Sequence, residues 1–112
     1  MSGGYALSRE AGLDLAEIED YTARHWGDAQ AEHYIRELFV AFDRLAENPG
    51  LGHRRDDIPE PYRIYSVGSH LIIFREHHMA GRVEILNILH PAMDTERRMR
   101  QALEYMAQRK RR

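Results

Sequence analysis

The apolar residues of this chain change period once, and that change sets the fold class. Ala11, Leu15, Ile18 and Thr22 recur at helical spacing, with Tyr21 widening the stripe. Ala31, Tyr34, Ile35, Leu38, Phe42 and Leu45 form a second, wider stripe, closed by "ENPG". Beyond Tyr62 the pattern becomes that of strands. "YRIYSV" and "HLIIFRE" flank Gly68-Ser69, a type II′ hairpin signal, and "RVEILNIL" is a third run of strand formers. Two helices joined by a few residues pack antiparallel as a hairpin. Three strands with short connections make an antiparallel meander. The chain is therefore expected to be α+β: a short N-terminal strand at Tyr5–Leu7, an antiparallel helical hairpin packed on a small antiparallel sheet, and a C-terminal helix within 94–109.

Local signals refine this frame. Ser8 is placed to cap the first helix, and Glu10 suits its positive end. Gly27 can end that helix in a left-handed conformation, and Asp28 is placed to cap the second. Trp26 at the elbow reads as a plug in the core, whereas an exposed Trp26 would mark a contact site. Glu10, Asp14, Glu17 and Asp20 share one face of the first helix and read as solvated. In the middle strand Leu71, Ile73 and Arg75 alternate with His70, Ile72 and Phe74. In the last strand Val83, Ile85, Asn87 and Leu89 alternate with Glu84, Leu86, Ile88 and His90. Both sheet faces are thus largely apolar. The hairpin covers one, and a narrow stripe of Met99, Leu103 and Met106 is left to cover the other. A poorly covered face predicts a protein-binding groove, with Ile72, Phe74, Leu86, Ile88, Met99 and Leu103 as its contact residues.

Length and charge narrow the function classes. A chain of 112 residues suits one domain. Apolar residues at 43% and charged residues at 30% fit a globular chain, with neither a membrane-spanning run nor a signal-peptide pattern, which favours the cytoplasm. Without cysteine there is no disulfide framework or thiolate chemistry. The net charge of −2 hides an asymmetry: residues 1–50 carry ten acids and four arginines, and residues 51–112 carry eight acids and twelve bases. The basic end, with a tail at about 107–112, suggests an anionic partner. Seven histidines do not make a metal site, since His77-His78 lacks a third ligand nearby. No cofactor motif is present. One enzymatic set remains: Arg63, His70, Arg75 and His90, all on the meander. Arginine stabilises a pentavalent phosphate and histidine acts as acid or base, as RNA cleavage requires. The alternative is that the arginines pair with carboxylates and His90 pins the strand end.

The order and spacing of several short motifs resemble a known family. Leu7-Ser8, Leu15, Ile18, Tyr21, Trp26-Gly27, Ala31, Tyr34, Leu45, "NP", "RRDD", "VGSHLIIFRE" and "ILNILHPAMD" together look like a ParE toxin of the RelE/ParE superfamily of type II toxin–antitoxin systems, over about residues 5–95. The resemblance implies a RelE/ParE-like fold. It implies a toxin that inhibits DNA gyrase, is neutralised by a ParD-like antitoxin, and is not itself an enzyme. Contact with DNA would come only through the antitoxin or the gyrase complex. Candidate target contacts are Trp26, Arg54, Arg97, Arg98 and Arg100. The RelE branch instead cleaves mRNA on the ribosome with a strongly basic groove. Here Lys110 is the only lysine, no tyrosine closes the last strand, and the net charge is slightly negative. These departures favour the ParE reading.

Overall fold

The computed structural model describes residues 4–77, 82–90 and 95–110. In chain order these form β1 (Tyr5–Leu7), α1 (Arg9–Trp26), α2 (Asp28–Glu47), a 3-10 turn (Pro49–Leu51), β2 (Arg63–Val67), β3 (His70–His77), β4 (Arg82–Leu89) and α3 (Thr95–Lys110). The sheet order is β1-β4-β3-β2. β2, β3 and β4 are antiparallel neighbours, as the meander requires, and β1 adds to the β4 edge in parallel. The sequence places the β3–β4 turn at His77–Gly81 and a cap for the last helix at Asp94; His77 ends β3, while residues 78–81, Asp94 and the end of the basic tail lie outside the described residues.

Each helix begins and ends for a local reason. Ser8 caps α1: its Oγ accepts from the Ala11 N–H at 3.0 Å. The same hydroxyl donates to the Leu86 carbonyl at 2.6 Å, so the cap also fastens α1 to β4. Gly27 takes φ +96°, a backbone conformation that favours glycine, and gives its N–H to the Ala23 carbonyl. α2 starts at the next residue with Gly27 at its cap position and no side-chain cap bond. Asp28 is therefore the first helical residue, where it complements the helix dipole, rather than the expected cap.

The hairpin covers one sheet face. Ala11, Leu15 and Ile18 of α1 and Leu38, Ala41, Phe42 and Leu45 of α2 pack with Ile72, Phe74, Val83, Ile85 and Ile88. The other face holds Ile64, Ile73, Leu86 and Leu89, covered by Ile58 and Tyr62 of the 52–62 loop and by Ala102 of α3, with Leu103 and Tyr105 packed alongside. This corrects the expected open groove. Ile72, Phe74, Leu86 and Ile88 are buried within the two cores, and Leu103 is half-buried. The loop, which carries no helical or strand period, supplies much of the missing cover. The side chain of Met99 lies outside the described residues.

A β-bulge explains why the simple alternation of β4 fails. Ile73 pairs with Asn87, but Phe74 pairs with Ile85, which leaves Leu86 as the extra residue. Val83, Ile85 and Ile88 consequently share the hairpin face, while Leu86 and Leu89 share the other. β1 pairs with β4 only as far as Ile85, and past that point Ser8 and α1 satisfy backbone groups of the β4 edge. The Ile88 N–H donates to Asp14 Oδ2 at 2.9 Å, and Ser8 takes the Leu86 carbonyl. Asp14 is thus buried, at 5% exposure, against the expectation of a solvated carboxylate.

Candidate functional site

The hairpin elbow and one end of the sheet enclose a cavity of about 300 Å³ lined by Tyr21, Thr22, Trp26, Gln30, Tyr34, Ser69, His70 and His90. The register builds it. Leu71 pairs with Leu89, so the next positions along the two strands, His70 and His90, come side by side on the hairpin face. Their rings meet edge to face at 4.4 Å between centroids. The C-terminal turn of α1 brings Tyr21 to 5.2 Å from His90, and His25 stacks on Tyr21 at 4.0 Å. From α2, Tyr34 reaches 5.2 Å from His70. The β2–β3 turn closes the end: Gly68 takes φ +55°, as a primed turn requires at its first central residue. A Cβ added there would fall 2.7 Å from the Tyr34 hydroxyl.

The direction of the hydrogen bond between Tyr34 and His70 follows the position of the phenol proton. Tyr34 Oη donates to the Val67 carbonyl at 2.9 Å and lies 2.6 Å from His70 Nδ1. A phenol has one proton, so with that proton on Val67 the histidine nitrogen is the donor. Nε2 is then the bare, accepting nitrogen, and it is buried without a hydrogen-bond partner among the described residues. Burial, with the neighbouring His90 second, pushes His70 down to about 4. Burial also lowers His90 below its ordinary value. Both rings are therefore neutral at physiological pH. Burial raises the Tyr34 phenol, so it stays a donor.

Of the four residues considered for phosphate chemistry, the structure joins two. Arg75 pairs with Glu84 at 2.8 Å, directly across the strand pair. Arg63 stands opposite Phe74, at the far end of the β2–β3 ladder from His70. Neither arginine lines the cavity, and among the described residues no lysine or arginine does. A neutral histidine pair without a cation can accept or donate hydrogen bonds and stack. It does not supply the positive charge that a pentavalent phosphate draws on.

The proposed contact residues are scattered over the surface. Trp26 is 72% exposed at the rim of the cavity, which overturns its reading as a core plug: with α2 starting two residues later, the ring has no core to enter. Arg54 is exposed and pairs with Glu60 at 2.8 Å. Arg100 is exposed on α3, and the side chains of Arg97 and Arg98 lie outside the described residues. Sequence reasoning missed Tyr21 and Tyr34 as site residues because both sit in the apolar stripes. Their signal was a hydroxyl-bearing aromatic in each stripe, close to the elbow.

A family model described as "ParE toxin of type II toxin-antitoxin system, parDE" matches residues 5–95. The chain belongs to this family. Among its relatives, Toxin ParE1 of Mycobacterium tuberculosis (strain H37Rv) is 42% identical over 99 residues, which is 88% of this chain and all of that protein. Toxin ParE1 of Caulobacter vibrioides is 39% identical over 90 residues, 80% of this chain and 91% of the relative. A chain of the solved chromosomal ParDE TA system from P. aeruginosa superposes with a TM-score of 0.64 at 20% identity, covering 76% of this chain and 91% of that one. This likeness establishes a shared fold. The protein is a ParE-type toxin of a type II toxin–antitoxin system, and the elbow cavity lies within the residues that the family spans. Among the described residues, no helix is long and apolar enough to cross a membrane.

Proposed function

We propose that this ParE-type toxin binds and inhibits DNA gyrase in the cytoplasm, performs no chemical step itself, and is neutralised by a ParD-like antitoxin. The observation that carries the non-enzymatic reading is the make-up of the elbow cavity: two neutral histidines, two tyrosines and an exposed Trp26, with no lysine or arginine among the described residues that line it. That suits recognition of another protein better than phosphoryl chemistry. Trp26, Arg54, Arg97, Arg98 and Arg100 are the candidate target contacts. Support for an antitoxin partner comes from the family and from the P. aeruginosa neighbour, itself a ParDE system. The groove between α2 and β2, where Val40 is exposed beside Tyr65 and Val67, is a candidate seat for the antitoxin. Leu103 on α3 is a second candidate contact, and Ile72, Phe74, Leu86 and Ile88 act behind the surface as core. Purified toxin should block gyrase supercoiling and accumulate cleavage complexes. No effect from correctly folded toxin at micromolar concentration would refute the gyrase target.

One observation favours a second reading. His70 and His90 are in contact at 4.4 Å, and two imidazoles can serve as the acid and the base that RNA cleavage by a ribosome-dependent endoribonuclease would require. His90→Gln should then abolish mRNA cleavage and growth arrest. Growth arrest retained by that variant excludes a catalytic His90.

A further inference from the structure

β2 forms one edge of the sheet. Val67 pairs with His70 around a two-residue turn, so Val67, Tyr65 and Arg63 turn their main-chain N–H and C=O toward β3, while Ile64 and Ser66 turn theirs outward. Ile64 exchanges both bonds with His53, at 2.8 and 3.0 Å. Extending that antiparallel bridge along the edge would set Leu51 opposite Ser66, but Leu51 belongs to the 3-10 turn, which takes the chain away. The main chain of Ser66 is therefore left without a partner among the described residues, and Ser66 lines an open groove of about 400 Å³. α2 forms the other wall. Its Val40, 56% exposed, lines the groove together with Tyr65 and Val67, and Arg36 and Arg44 stand one turn to either side.

Main-chain chemistry narrows the occupant. Ser66 calls for a donor and an acceptor side by side. A helix uses those groups internally, whereas an extended segment presents them along its edge. Alternate side chains of such a segment lie on the α2 side, where the groove selects among them. Charge sets what flanks the apolar centre. Arg36 is paired with Glu32, and Glu37 lies 3.2 Å from His33. Arg44, and Arg63 two residues before Tyr65 on the same strand face, have no ion pair among the described residues. We infer that β2 takes an extended segment of a protein partner as a fifth strand opposite Ser66, with an apolar side chain against Val40 and a carboxylate toward Arg44. The inference rests on the reading of this groove as a partner's seat and adds how the partner's chain lies in it.

The test is a nuclear magnetic resonance titration of the full chain with three acetylated peptides. The first is Thr-Glu-Thr-Val-Thr-Glu-Thr, which as a strand turns its valine and both glutamates to one face. The second has lysine for both glutamates. The third is the first with its two central threonines N-methylated, so it keeps every side chain and loses the main-chain donors. The first should give saturable shifts at the Ser66 amide and the Val40 methyls and slow hydrogen exchange at the Ser66 N–H. The other two should bind about tenfold more weakly. Arg44→Gln should weaken the first peptide about two- to fivefold. Ser66→Pro removes the outward N–H at an edge position, where proline is tolerated, and should abolish the Val40 shifts. Equal binding of the methylated peptide would show that side chains or a helix fill the groove and would overturn the assignment. So would the absence of saturable shifts from the first peptide at millimolar concentration. Should Ser66→Pro fail to fold, the methylated-peptide comparison on the unaltered protein decides alone. Rescue of growth by a co-expressed antitoxin tests the antitoxin reading separately, since it does not depend on how the partner's chain lies.

Discussion

His70 shows how one buried ring links fold stability to pH. Its value falls from 6.5 to about 4 because burial disfavours the imidazolium. The unfolded chain therefore binds a proton in a range where the native ring does not. The stabilisation is complete above about pH 6.5 and is lost as pH falls toward about 4, with His90 acting in the same direction. Linkage limits the His70 share to about 3 kcal/mol. Denaturant unfolding at about pH 7 and about pH 4.5 should show a clear drop for the native sequence, and His70→Gln should reduce that drop. Asp14 is a second residue whose burial has a purpose, since it is the acceptor for the Ile88 N–H. Asp14→Ala should cost about 1–3 kcal/mol and speed amide exchange at Ile88, while Asp14→Asn, which keeps an accepting oxygen, should cost less. An unchanged exchange rate at Ile88 in the alanine variant would show that the backbone finds another acceptor.

At the scale of elements, α1 is joined to β4 by two side chains, and both attach at the bulge. Ser8 holds the Leu86 carbonyl while capping its own helix, and Asp14 holds Ile88 from two turns further on. Ser8→Ala loses both bonds and should destabilise the protein by about 1–2 kcal/mol, measured as a lower denaturation midpoint. Ser8→Thr keeps the hydroxyl and should fall well short of that. This junction also marks where the sequence stopped being readable. The hairpin, the meander, the Ser8 cap and the Gly68 turn follow from local spacing and turn chemistry. The bulge does not: Leu86 looks like any other apolar strand residue, and only the pairing of Phe74 with Ile85 reveals the slip. Asp14 shares a helix face with three other acids, so periodicity assigns it to solvent. Its role depends on a free backbone donor 74 residues away. The elbow cluster was half legible. His70 and His90 could be placed on strands, but register was needed to bring them together and to send Arg63 and Arg75 elsewhere.

At the scale of the molecule, two apolar faces are closed and the exposed features lie at the rims. Residues 51–112 carry a balance of +4 against −6 in residues 1–50, so the two halves present different surfaces to partners. Trp26 lies where the helical hairpin, the sheet end and the histidine cavity meet, and it stays open to solvent. A large aromatic left outside a filled core contributes little to folding, so Trp26→Ala should change stability by no more than about 0.5 kcal/mol. Aromatic anchors at protein contacts carry about 2 kcal/mol or more, which is roughly a thirtyfold loss of affinity. The two effects separate cleanly. If the elbow is the target surface, Trp26→Ala melts with the native protein yet fails to arrest growth when induced without antitoxin. Arg54→Ala tests a separate candidate contact, away from the elbow, and should have the smaller effect because its pairing with Glu60 already offsets part of its charge. Full toxicity from a folded Trp26→Ala variant would move the target contact away from the elbow and toward the arginines of α3.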